Sequence, residues 1–227
     1  KRHFSLPAAN TAELYLSFLR LTVGRVPHTF SSHSQTSGGN IFMEGLNSLL
    51  DVRSCYFQGA CGATPCASHG GSIFSWKTGA VISITDSTFE GYRSSRGGGA
   101  MYLYDGTVAT LTNTMFLDNS AGSDNYGGAI EIWANSHVTM KGVNIFRGCK
   151  AMAGRGHSVY TEPSDCTLTF ETCPAGTMAP QESVAALDHD FTGCPYCAIS
   201  KEDQGIHTIS SPGCTLSQMI TVNGAMN

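Results

Sequence analysis

Charge is scarce in this chain. Asp, Glu, Lys and Arg together make up 13% of its 227 residues, about half the usual share of roughly 25%. A surface this poor in charge takes its polarity from Ser, Thr, Asn and Gly, which favours an extracellular or assembled protein over a cytosolic enzyme. The net charge of -4 leaves no basic footprint for nucleic acid, and no nucleic-acid partner is expected. No apolar run approaches the roughly 18–20 residues that cross a bilayer, so no membrane-spanning segment is expected in this chain. There is no Asn-x-Ser/Thr sequon, so N-glycosylation is not expected. The chain opens on Lys1 without a signal-peptide pattern, and any such peptide is expected to have been removed already. Outside Gln181 to Leu187 no stretch has a convincing amphipathic helical period. Hydrophobic residues reach 41%, so the chain is expected to be neither disordered nor membrane-embedded.

Glycine is abundant instead, at 26 residues. Gly38-Gly39, Gly70-Gly71, Gly98-Gly99 and Gly127-Gly128 each open a short alternating stretch, and Gly156-His157 opens a decayed fifth. The copies recur about every 28–32 residues, a period that signals a solenoid or another repeat array. Counted from the second glycine of each pair, position two is Ile41, Ile73, Met101 or Ile130, and position four is Met43, Ser75, Leu103 or Ile132. In a strand these share one face, and they are apolar enough to form a core. A turn follows at Lys77-Thr78-Gly79, Asp105-Gly106 or Asn135-Ser136, where glycine accepts positive φ. A second strand then runs to Phe57, Phe89, Phe116 or Phe146. Leu14 to Phe18 and Leu19 to Val23 alternate in the same way and predict an incomplete first coil, while Lys1 to Asn10 reads as a loose lead-in. Two short strands and a weaker third per period fit one coil of a parallel β-helix. A leucine-rich repeat lacks its pattern here, and a β-sandwich needs no near-identical corners at a fixed period.

Nine cysteines are many for a reducing cytosol. Cys55, Cys61, Cys66, Cys149, Cys166, Cys173, Cys194, Cys197 and Cys214 are all disulfide candidates, and the odd total leaves at least one thiol without a partner in this chain.

Gly127-Gly128-Ala129-Ile130 and Phe116-Leu117-Asp118-Asn119 resemble the Gly-Gly-Ala-Ile and Phe-x-x-Asn elements of the polymorphic outer-membrane protein repeat, and Gly99-Ala100-Met101-Tyr102 is close to the first. The chain therefore resembles the right-handed parallel β-helix, or pectin-lyase-like, superfamily over about residues 14–172. That superfamily includes adhesins, structural surface proteins, lyases and hydrolases. From Cys166 onward, Cys173-Pro174-Ala175-Gly176-Thr177, Cys194-Pro195-Tyr196-Cys197 and Cys214 resemble an ephrin-receptor-like cysteine-rich module. The resemblance implies an all-β solenoid over 1–165, with coils starting near 14, 38, 70, 98, 127 and 156, and a small C-terminal disulfide-rich module over 166–227. It also implies a larger extracellular context.

Three chemistries bear on this scaffold. Lyases and hydrolases on β-helices gather carboxylates on neighbouring coils to bind Ca²⁺ or to act as acid and base. Aligned on the phenylalanines, Asp86 falls beside Asn113, Asp118 beside Gly91 and Gly148, and Glu90 beside Leu117 and Arg147. No carboxylates stack in this register, so no catalytic residue is assigned. Cys173, Cys194, Cys197 and Cys214 could form a zinc site, but disulfides fit a secreted chain better. Asp188-His189-Asp190 reads as a solvated loop. No metal or cofactor is expected. The third feature is aromatic. Position five carries Trp76, Tyr104 and Trp133, and position three carries Phe42, Phe74 and Tyr102, then Glu131. If positions two and four face inward, these face outward. So much outward apolar area marks an interface. Its cover is a loop of the same chain, another subunit, or a sugar. The expected function is non-enzymatic and structural: a surface or filament subunit assembling through its aromatic face and coil ends. The alternatives are a carbohydrate-binding adhesin module and, more distantly, a polysaccharide lyase or hydrolase.

Overall fold

The computed structural model describes residues 3–7, 11–22, 37–62, 64–122, 126–152, 156–162 and 165–170, with two short strands at 186–187 and 191–192. Among these residues all regular structure is β. Sheet A stacks β1 (Phe4–Leu6), β4 (Ile41–Met43), β7 (Ile73–Ser75), β10 (Met101–Leu103), β14 (Ile130–Ile132) and β18 (Val159–Thr161), all parallel. Sheet B stacks β2 (Glu13–Ser17), β5 (Leu49–Arg53), β8 (Val81–Thr85), β11 (Val108–Thr112), β15 (His137–Lys141) and β19 (Thr167–Phe170), also parallel. Sheet C stacks β3 (Arg20–Thr22), β6 (Tyr56–Gln58), β9 (Thr88–Glu90), β12 (Met115–Leu117) and β16 (Ile145–Arg147). A minor pair, β13 (Ser120–Ala121) and β17 (Lys150–Ala151), lines the return path. The chain visits A, B and C in turn and steps one strand along each time. It is a parallel β-solenoid.

Inward-facing side chains stack in columns. Ile41, Ile73, Met101, Ile130 and Val159 form one, and Leu50, Ile82, Ala109 and Val138 another, all buried. The phenylalanines Phe57, Phe89, Phe116 and Phe146 stack in a third, with centroids 4.5, 5.2 and 4.7 Å apart. Such parallel stacks add about 0.5–1.5 kcal/mol per pair beyond area burial. A polar cluster sits among them: the buried Tyr92 hydroxyl donates to Asn40 Oδ1 at 2.7 Å. Burial pushes the Tyr92 hydroxyl pKa upward. Asn119, of the Phe-x-x-Asn element, is also fully buried. Its Nδ2 donates to the Phe89 carbonyl at 3.0 Å and its Oδ1 accepts the Tyr92 N–H at 3.0 Å, which joins two coils.

The two glycines of each corner serve different needs. The first takes the left-handed conformation, at φ 63° in Gly38, 53° in Gly70, 63° in Gly98, 66° in Gly127 and 64° in Gly156. The second is needed for closeness: a Cβ at Gly71, Gly99 or Gly128 would fall on the carbonyl oxygen of Gly99, Gly128 or His157 in the next coil.

The structure differs from the expectations in three places. Phe4–Leu6 is a strand of sheet A, not a lead-in, pairing Phe4 with Ile41 and Leu6 with Met43. The second strand of each coil is two strands, because a left-handed residue breaks it between sheets B and C. Ser54 (φ 50°), Asp86 (φ 48°), Asn113 (φ 49°) and Gly142 (φ 64°) occupy this break, and Asn113 Nδ2 donates to Asp86 Oδ1 at 3.1 Å. Asx side chains tolerate that conformation. Finally, β19 continues sheet B to Phe170, so the solenoid passes the boundary placed at 165. Beyond Phe170 the cysteine-rich segment lies outside the described residues except for β20 (Ala186–Leu187) and β21 (Phe191–Thr192). These strands pair antiparallel with β18 and β16.

The turn from sheet A to sheet B places Ala134 at φ 48°. A left-handed alanine is strained by about 1–2 kcal/mol. Ala134→Gly should therefore stabilise by roughly 0.5–1 kcal/mol after the extra chain entropy of glycine is subtracted. Thermal unfolding should show a midpoint raised by about 1–4 °C.

Candidate functional site

The strand register puts the outward residues of sheet A into two columns. Position three runs Ser5, Phe42, Phe74, Tyr102, Glu131, Tyr160. Position five follows each strand and runs Glu44, Trp76, Tyr104, Trp133, Glu162. The backbone N–H of each of these bonds to the preceding coil, as in Trp76 N–H to Met43 O at 2.9 Å and Trp133 N–H to Leu103 O at 2.9 Å. Three aromatics therefore lie side by side with three more. Each block ends on a carboxyl: Glu131 in one column, Glu44 and Glu162 in the other.

All six aromatics named from the sequence come together in one cluster, separate from the core inside the coils. Facing outward does not leave them exposed, however. Phe42 is 1% exposed, Phe74 0% and Tyr102 9%, while Trp76, Tyr104 and Trp133 are half-buried. This burial is reached within the single chain. Alternation along a strand sets the direction of a side chain but says nothing of what packs over it. His69 is one of the covering groups, with its ring centroid 4.9 Å from Tyr102 and 5.8 Å from Phe74. Phe42 stacks on Phe74 at 5.4 Å and Trp76 on Tyr104 at 4.9 Å with planes 13° apart, while Phe74 meets Tyr102 at 5.4 Å with planes tilted by 32°. Ring faces are thus largely taken up within the columns.

Glu131 breaks the aromatic series and is 2% exposed. The Trp133 indole N–H donates to its Oε1, and its Oε2 has no hydrogen-bond partner. Gly97 lies directly against that oxygen, so closely that a Cβ there would collide with it. Burial raises the Glu131 pKa to about 8, opposed by hydrogen bonds from Trp133 and the Gly98 backbone. Tyr102 is also driven upward, first by burial and then by Glu131. Tyr126 and Tyr160 stack at 4.3 Å, and Tyr160 lies 6.4 Å from Trp133. Sequence reasoning noticed Glu131 only as the end of a ladder. His69, Gly97, Tyr126 and Tyr160 went unseen, although Tyr160 was visible as position three of the decayed copy. Gly97, next to the corner pair, was the signal for close approach.

The strand carboxylates do not meet one another along the stack. Glu90 lies between Gln58 and Leu117, Asp51 between Tyr15 and Ser83, and Glu131 between Tyr102 and Tyr160. Among the described residues no three His, Cys, Asp or Glu side chains gather as a metal site. No described helix is long and apolar enough to cross a membrane.

The cysteine expectations are corrected in part. Cys61 and Cys66 form a disulfide. Cys55, Cys149 and Cys166 are buried cysteines packed in the solenoid core. Cys149 donates to the Phe116 carbonyl at 3.4 Å, and burial raises the Cys166 pKa. Stacking places each on its own column, so they act as small apolar residues. Cys173, Cys194, Cys197, Cys214 and Asp188-His189-Asp190 lie outside the described residues. No family model, no curated protein and no solved structure matches this chain.

Proposed function

We propose that the chain is a non-enzymatic structural part of an extracellular or cell-surface β-solenoid, of the pectin-lyase-like kind, which associates with further copies or neighbouring chains through the half-buried edge of its aromatic columns. The observation that carries this reading is the row Trp76, Tyr104 and Trp133, three large aromatic side chains kept half-open in consecutive coils. Trp and Tyr in such a setting are the usual anchors of protein interfaces. The Cys61–Cys66 disulfide supports an oxidising compartment. The strand register of the carboxylates supports the non-enzymatic part.

The carbohydrate-binding alternative gains less support. Sugars dock on ring faces, and here Trp76 and Tyr104 stack on each other and present edges outward. Head-to-tail stacking through the C-terminal coil end gains little either. β20 and β21 run antiparallel across sheets A and C there, so a second solenoid meets no parallel edge in those sheets.

Sedimentation of the whole chain tests the reading. Concentration-dependent oligomers are expected, with Trp76→Ser or Trp133→Ser weakening association about thirtyfold, as loss of an anchor worth about 2 kcal/mol requires. A chain that stays monomeric at about 100 μM, far above the micromolar range of ordinary association, would overturn it. Glycan-array binding lost in the same variants would favour the adhesin reading instead.

A further inference from the structure

We propose that Glu131 is a pH-operated latch on the aromatic cover: as a neutral acid it lets the Ser95–Gly99 segment close over the outward columns, and as an anion it releases that segment. The geometry supplies each part of the device. The carboxyl is the one polar group at its level of the position-three column, with Tyr102 on one side and Tyr160 on the other. Oε1 is held by the Trp133 indole and the Gly98 backbone also favours the carboxylate, whereas Oε2 is buried, without a hydrogen bond and covered by Gly97. A neutral carboxyl tolerates that position. An anion with a bare oxygen does not, because an uncompensated buried charge is costly. The cheapest relief is water reaching Oε2, and Gly97 is what must move to admit it.

The covering segment is hydrogen-bonded to neighbouring coils along its length. Arg96 N–H donates to Ser68 O at 2.7 Å and Ser95 N–H to Ala67 O at 2.9 Å. Gly98 N–H donates to Tyr126 O at 3.2 Å and Gly99 N–H to Gly127 O at 3.0 Å. Gly97 lies between these bonds, and its own carbonyl accepts the Gly70 N–H at 3.2 Å, so lifting it breaks that one bond to the neighbouring coil. Among the described residues, the titratable and charged groups around the site are Tyr102 and Tyr104 from the preceding coil, Tyr160 and Glu162 from the following one, and Tyr126 beside the corner. His69 lies on Tyr102, Arg96 lies on the covering segment itself and Arg93 just before it. Burial pushes the Tyr102 hydroxyl pKa upward, and a Glu162 oxygen already accepts the Ala134 N–H. Arg96 is exposed and adjacent to Gly97, so it is placed to meet the anion once the cover lifts.

The sign follows from linkage. The carboxyl sits at about 8 when folded, above its value of 4.5 in the unfolded chain. The folded state therefore holds the extra proton between those values. Stability falls as pH rises through this window and levels off above it.

The test uses the full chain with Trp76→Phe, which leaves Trp133 as the sole indole reporter. Trp133 fluorescence and amide exchange of residues 95–99 are followed from about pH 6 to about pH 9, each against Glu131→Gln in the same background. The latch predicts a sigmoidal fluorescence change centred near pH 8 in the protein that keeps Glu131 and none in the Glu131→Gln variant. At one pH unit above the midpoint, exchange at 95–99 should be about tenfold faster than in the variant at the same pH. A transition that persists in Glu131→Gln, or equal exchange in the two proteins at every pH, overturns the proposal. The carboxamide introduced by Glu131→Gln is neutral and nearly isosteric with the acid, so a folded comparison is available; circular dichroism of both proteins at about pH 6 confirms it.

Discussion

Gly99→Val should unfold the middle of the solenoid. Its Cβ would land on the Gly128 carbonyl and press on the Ser120 backbone at 2.6 Å to its nitrogen, and none of these atoms belongs to a flexible side chain. Relief requires neighbouring coils to separate, which breaks the ladder around Gly99 N–H to Gly127 O and Ala100 N–H to Ala129 O. The expected loss is about 4 kcal/mol or more, at the extreme end for a single substitution. Thermal unfolding should shift down by roughly 8–16 °C or give no folded protein at all. Gly62→Val is the matched control. A Cβ at Gly62 meets nothing within 4 Å, so only the strain of its φ of 58° is added. If Gly99→Val and Gly62→Val cost the same, the close approach of coils at the corner is not what demands glycine.

Phe116→Ala should cost about 3–5 kcal/mol. The ring is fully buried and sandwiched between Phe89 at 5.2 Å and Phe146 at 4.7 Å, so its loss removes two stacked contacts and leaves a cavity that the stiff ladder cannot collapse. The shift in chemical-denaturation midpoint measures this directly, and an unchanged slope shows that the unfolding unit is the same. Val108→Ala on the same coil is the contrast. Val108 is 45% exposed, and the change should stay within about 0.5 kcal/mol. A Phe89→Ala/Phe116→Ala double-mutant cycle should show a coupling of about 0.5–1.5 kcal/mol.

These two sites also mark how much the sequence allowed. The repeat made the inward columns readable: Ile41, Ile73, Met101 and Ile130 face the core because period-two alternation and a fixed corner leave no other register. The pairing of Asp86 with Asn113 followed from the same alignment. What was not readable depended on information outside the repeat. Phe4–Leu6 lacks a glycine corner, so three residues of alternation carried too little signal. The break between sheets B and C hides in Ser54, Asp86 and Asn113, because left-handed backbone at a non-glycine residue has only a weak sequence mark. Whether Phe42 and Phe74 are covered depends on segments remote in sequence. The buried thiols of Cys55, Cys149 and Cys166 looked like disulfide candidates because composition reports a compartment and not a neighbour. Glu131 was legible as an oddity, but its unpartnered oxygen depends on Gly97, a whole coil away in the chain.

The glycine corner has a consequence for how such a chain can vary. Successive sheet A strands begin at Ile41, Ile73, Met101 and Ile130, and the matching sheet B strands begin at Leu49, Val81, Val108 and His137, so that arm is nearly constant. The arm from sheet C back to the corner is not constant: β6 ends at Gln58 with its corner at Gly70, whereas β9 ends at Glu90 with its corner at Gly98. Differences in period are absorbed there, and the corner restores phase before the next coil begins. Insertions on that one flank leave every inward column aligned. The solenoid can therefore gain or lose loops along a single side without being redesigned, and an epitope, tag or binding loop grafted between sheet C and a corner would ride on an undisturbed core.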